Sequence, residues 1–92
     1  MEKISKEEFI RKLQDVKTAT SVTGIVYKDI TVSNGYITGI RSTTNNTFKI
    51  KIDNLYSGYK ELEEINTNTL KDYVKNRVQS PALAILNKIG LV

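Results

Sequence analysis

The sequence predicts an α+β domain: a three-stranded antiparallel β-meander packed on one face by an N-terminal helix and two or three C-terminal helices. Three observations carry this. Apolar residues recur at helical period near the N-terminus, at Phe9, Ile10, Leu13 and Val16. The segment IVYKDITVSNGYITGIRSTTNNTFKIKID, residues 25–53, alternates apolar and polar residues around an Asn34-Gly35 turn. Helical spacing then returns from Leu55 to the end of the chain. The length of 92 residues suits one small globular domain, 1–92, with a single modest core.

Each element has its own signals. Ser5 is placed to cap the first helix, with Glu8 three residues on to complete a capping box, and Ile4 and Phe9 stand at hydrophobic-staple spacing. The stretch TATSVTG breaks the helix. Asn34-Gly35 is the strongest short hairpin signal, because both residues tolerate positive φ. It pairs Val32 with Ile37 and Ile30 with Gly39. A two-residue turn at Asn45-Asn46 would pair Arg41 with Ile50 and Gly39 with Ile52. The NNT at Asn45 also matches a glycosylation sequon, and it is read here as a turn.

The two registers agree on the faces. Ile30, Val32, Ile37, Gly39, Phe48, Ile50 and Ile52 share one apolar face, with Gly39 at its centre where a helix can approach. Asp29, Thr31, Tyr36, Thr38, Ile40, Lys49 and Lys51 share the other, which is polar and mildly basic. Arg41 falls on the apolar face, near its rim, and has to snorkel out or find an acidic partner.

Beyond the sheet, Asp53 is placed to cap a short helix carrying Leu55, Tyr56, Tyr59 and Leu62, with Gly58 inside it at a cost of about 1 kcal/mol. Thr69 with Asp72 resembles the start of another helix, with Leu70, Tyr73, Val74 and Val78 on its inner stripe. Ser80 as N-cap, Pro81 at the first helical position and Gly90 as C′ residue define a last helix from about Pro81 to Ile89. Ala82, Leu83, Ala84, Ile85, Leu86 and Ile89 leave it almost no polar face. Such a helix is buried on more than one side. In a monomer it is the central helix; otherwise a second copy or a partner shares it.

Composition narrows the functional classes. There is no cysteine and no histidine, which removes thiolate chemistry, the commonest general base and the usual zinc ligands. The acidic run ELEE, residues 61–64, has no second acidic cluster at metal-ligand spacing. Phosphate-loop, dinucleotide and nucleophile-elbow motifs are missing. No enzyme, cofactor or metal is expected. The longest apolar run, PALAIL, is far short of the ~20 residues of a membrane span. The N-terminal MEKISKEEF has no apolar signal-peptide core. A cytoplasmic location and no membrane partner are the expectations.

The net charge is +4, and 11 of the 14 basic residues are lysine. Lysine, isoleucine and asparagine, all abundant here, share A/T-rich codons, so the lysine excess by itself does not establish a nucleic-acid partner. Two functions remain. The first is a non-catalytic protein-interaction or assembly module of a cytoplasmic regulatory system, using Tyr56, Tyr59, Leu83, Ile85 and Ile89 toward a protein partner or a second copy. The alternative is a small basic nucleic-acid-binding domain with a helix-turn-helix-like C-terminal part, using Lys71, Lys75, Asn76 and Arg77 there and Lys49 and Lys51 on the open sheet face.

Overall fold

The computed structural model describes residues 3–21, 23–74 and 78–91. The first helix, α1 (Lys6–Gln14), starts where Ser5 Oγ accepts the Glu8 backbone N–H at 3.2 Å. This is the forward half of the expected capping box. Glu7 and Glu8 in the first turn and Arg11 and Lys12 in the last complement the helix dipole. Phe9 and Leu13 are buried, and Val16 beyond the helix extends their stripe.

The sheet has four strands rather than three, all antiparallel, in the order β1 (Ala19–Thr20), β2 (Val26–Ser33), β3 (Tyr36–Arg41), β4 (Thr47–Lys51). Strand β1 is two residues long, too short to show any alternation in the sequence. It pairs Ala19 with Tyr27 and buries Ala19.

The Asn34-Gly35 turn forms with φ of 53° and 80°, and Val32 pairs with Ile37 as expected. Further along, β2 carries one extra residue: Lys28 pairs with Ile40, whereas Thr31 pairs with Thr38. Asp29 absorbs this bulge at φ 54°, in the left-handed region that aspartate tolerates. The bulge reverses the alternation, so Tyr27 and Ile30 both face the core and both are buried.

The expected β3–β4 register is corrected. Ile50 pairs with Ile37, four residues from the expected Arg41, and Gly39 pairs with Phe48. The turn is not two residues at Asn45-Asn46 but the segment 42–46, closed by the Arg41 N–H donating to the Asn46 carbonyl at 2.8 Å. A slip by an even number leaves every side chain on its expected face. Gly39 is approached not by a helix but by the ring of Phe48. A Cβ there would lie 2.6 Å from Phe48 Cζ and 3.2 Å from Ile30 Cγ1.

Strand β4 runs straight into α2 (Ile52–Glu61), so Ile52 belongs to the helix and Lys51, not Asp53, is the N-cap. The Ile52 N–H still reaches the Gly35 carbonyl at 2.9 Å. Gly58 has a packing reason: a Cβ there would come within 3.2 Å of Leu70 and Tyr73. The next helix begins earlier than expected and lasts one turn. It is α3 (Thr67–Leu70), capped reciprocally by Asn66 and Thr69.

The last helix, α4 (Gln79–Lys88), begins before Ser80, whose hydroxyl shares a 2.9 Å hydrogen bond with the Tyr27 hydroxyl instead of capping. Pro81 still lies in the first turn, where no intrahelical donor is lost. The C-terminal end is as expected. Gly90 has φ 80°, its N–H reaches Asn87, and the Leu91 N–H reaches Leu86. Ala82, Ile85 and Leu86 are fully buried, with α3 and β1 packed against the helix.

Two outcomes follow for stability. Leu86→Ala should lower the urea-unfolding free energy by about 2–5 kcal/mol, with a midpoint that does not depend on protein concentration. Gly39→Ala should cost about 1–3 kcal/mol through overpacking, and adding Phe48→Leu should recover part of that loss in a double-mutant cycle.

Candidate binding surface

The residues proposed for a protein interface separate into two groups. Tyr59 and Ile85 are interior, at 3% and 0% exposure. The tyrosines of α2 are occupied within the chain. The Ile4 N–H donates to Tyr59 Oη at 2.9 Å, and Tyr56 Oη donates to the Ile4 carbonyl at 2.9 Å. Phe9 stacks on Tyr59 with centroids 5.6 Å apart and tilts against Tyr56 at 5.2 Å. Lys3 lies 4.7 Å above the Tyr59 ring. This aromatic clasp holds the N-terminal segment and α1 against α2. Tyr56, Leu83 and Ile89 stay partly exposed, packed at the margin of the core.

The basic residues are distributed differently. Residues opposite the buried ones on β2, β3 and β4 form the open sheet face, where Lys28, Thr31, Ser33, Thr47, Lys49 and Lys51 are exposed. Across it run the rows Lys28–Ile40–Thr47, Thr31–Thr38–Lys49 and Ser33–Tyr36–Lys51. Tyr36 is half-buried, and Lys49, its diagonal neighbour, places Nζ 4.2 Å above the ring. Asp29, in the bulge of β2, is the sole carboxylate among the residues of the four strands.

Two clefts lie against β4. One, of about 140 Å³, is lined by Tyr36, Lys49, Ile50, Lys51, Asn54, Val74 and Val78. The other, of about 170 Å³, is lined by Tyr27, Arg41, Asn46, Thr47, Phe48, Val78 and Pro81. Val78 belongs to both, and among the described residues no acidic side chain lines either. Both are smaller than the ~300 Å³ at which small-molecule sites usually begin, so they are contours of a surface. Arg41 resolves its awkward position on the apolar face without an acidic partner among the described residues. Its guanidinium lies 5.8 Å above the Tyr27 ring.

Lys71 is exposed just beyond α3. Lys75, Asn76 and Arg77 lie outside the described residues. The helix expected over 70–78 ends at Leu70 and turns through 71–74, and α4 is largely core. A groove-reading helix pair is therefore not formed by the described residues. On the sheet, Lys28 joins Lys49 and Lys51 on the open face, and Arg41 lines the second cleft from the inner face. Strand parity could have placed Lys28, had the bulge been visible. Among the described residues no group of three or more His, Asp or Glu side chains is placed to hold a metal ion, and no helix is long and apolar enough to cross a membrane.

One ion pair joins α1 to α2, between Lys6 and Asp53, whose side chains are 47% and 58% exposed. The hydrogen-bonded Lys6 ammonium holds the Asp53 carboxyl below its usual range, with a smaller pull from Lys51. A depressed carboxylate pKa stabilises the fold above the unfolded-state value, and that contribution is lost as pH falls through the folded-state value. The exposed pair is screened by solvent, so the contribution is small. Lys6→Met should accordingly be slightly less stable than the parent at neutral pH in urea titrations, and the difference should close as the pH falls below the usual aspartate range and Asp53 is protonated in the folded parent.

No protein-family model, curated protein or solved structure matches this chain.

Proposed function

We propose that this chain is a non-catalytic binding module whose working surface is the open sheet face with the adjoining β4 clefts, and that its partner is nucleic acid. The observation that carries this reading is the lining of those clefts: Arg41, Lys49 and Lys51, with no acidic side chain among the described lining residues. A surface with an excess of cations attracts phosphate. The competing assembly reading loses its main support when α4 is used as core and the α2 tyrosines clasp Ile4. It keeps one supporting observation, the partly exposed Leu83 and Ile89 at the margin of the core.

The test is a titration into labelled mixed-sequence DNA and RNA at low and near-physiological salt. Binding should weaken steeply with salt, and the pair Lys49→Glu, Lys51→Glu should abolish it while leaving the urea midpoint close to the parent value. Leu83→Asp should leave nucleic-acid affinity unchanged. No binding even at low salt contradicts the reading and turns attention to Leu83, Ile89 and the solution mass.

A further inference from the structure

We infer that the open face takes single-stranded nucleic acid in preference to duplex, with Tyr36 as the platform on which a base stacks; this rests on the nucleic-acid reading above. The geometry points to it in three ways. Tyr36 is the aromatic side chain on the open face, at the start of β3 in the row it shares with Lys51. It also lines the cleft that contains Lys49, Lys51 and Asn54. A ring flanked by two cations and a side-chain amide is the combination that binds single strands without strong sequence preference: the base takes the ring face and the phosphates take the cations.

Lys49 is the second indication. Its ammonium lies 4.2 Å above the Tyr36 ring, so the ring face is already offered to a cation rather than covered by an apolar side chain. An arriving base replaces the ammonium on the ring, and the lysine stem is long enough to follow the neighbouring phosphate. Little has to be reordered, because Thr31, Thr38 and Lys49 form a row of small or flexible side chains around the ring.

The third indication is the shape of the face. A duplex is read by a helix or a β-ribbon entering the major groove, whereas the residues of the open face belong to strands β2, β3 and β4, paired side by side in one sheet. The five residues of β4 span roughly 17 Å, which limits contact to a few nucleotides. A base can reach Tyr36 only if it is unstacked from its neighbours, and that condition favours single strands.

The chain has no tryptophan, so a Tyr36→Trp variant carries one indole that reports this position alone. Its emission is followed while a mixed-sequence single strand of about 12 nucleotides, the same sequence as duplex, or poly-glutamate is added at low salt. Parallel affinities are measured for Tyr36→Phe and Tyr36→Ala, with urea midpoints to establish that each variant is folded. The single strand is expected to quench the indole and to bind more tightly than duplex. Tyr36→Phe should bind as the parent does, and Tyr36→Ala should lose about tenfold. Duplex binding as tight as single-strand binding, poly-glutamate binding as well as the strand does, or a folded Tyr36→Ala binding like the parent would overturn the inference; the first and last of these leave the nucleic-acid reading intact. Failure of both nucleic acids to bind at low salt removes that reading and this inference with it.

Discussion

The helix from Gln79 to Lys88 has almost no polar face, and the rest of the molecule is arranged to keep it out of water. Ile85 and Leu86 are at 0% exposure, and each contributes roughly 1.5–3 kcal/mol by burial. A domain this small has few elements to spare for cover. The short strand β1 supplies one side and α3 another. The Tyr27–Ser80 hydrogen bond fixes the start of the helix against β2, and the Schellman closure at Gly90 finishes its other end. The outcome is an accessible surface of 5748 Å², close to the ~5,400 Å² that size scaling gives for a compact monomer of this mass. The chain can therefore cover its most apolar segment without a second copy.

That constraint divides the molecule by face. Helices and aromatic residues crowd the inner side of the sheet, where Phe9, Tyr56 and Tyr59 clasp the N-terminal segment. The other side of the sheet carries mostly threonines and lysines, with Ser33, Tyr36 and the partly exposed Ile40 among them. A binding function, if it uses what the core has not consumed, has that side and the clefts along β4 to work with. The side chains there are cationic and polar, suited to phosphate, and lack the histidine, cysteine or clustered carboxylates that catalysis or metal binding would draw on.

Much of this was legible in the residues because the strongest signals are local. The Ser5 cap, the Asn34-Gly35 turn, the Gly90 C′ position and the helical stripe at Phe9, Leu13 and Val16 depend on neighbours a few residues apart. Both faces of the sheet were legible too, since a register error of four residues preserves parity. What escaped depends on distant partners. Strand β1 exists because Ala19 and Thr20 find Tyr27 and Val26. The bulge at Asp29 exists because Tyr27 and Ile30 both need the core. Ser80 hydrogen-bonds the Tyr27 hydroxyl instead of capping, and Gly58, a cost on local propensity alone, is required by Leu70 and Tyr73 packed against it. On the candidate site, Lys49, Lys51 and Tyr36 were placed by parity, whereas Arg41 required the Tyr27 ring to explain its position. The tyrosines of α2 were misleading because their pattern is the same whether they meet a partner or the chain's own Ile4.

The claim on which the rest stands is that α4 is an integral core element of the monomer, and native-state hydrogen exchange tests it most directly. The amides of Ile85 and Leu86 should exchange only through global unfolding, with the same denaturant dependence as those of Ile37 and Ile50 in the central strands. If instead the α4 amides exchange through a low-energy local opening, orders of magnitude faster than the sheet, the helix undocks in the monomer. Its apolar face would then be available to a partner, and the division of the molecule into a helical core side and an open binding side would fail.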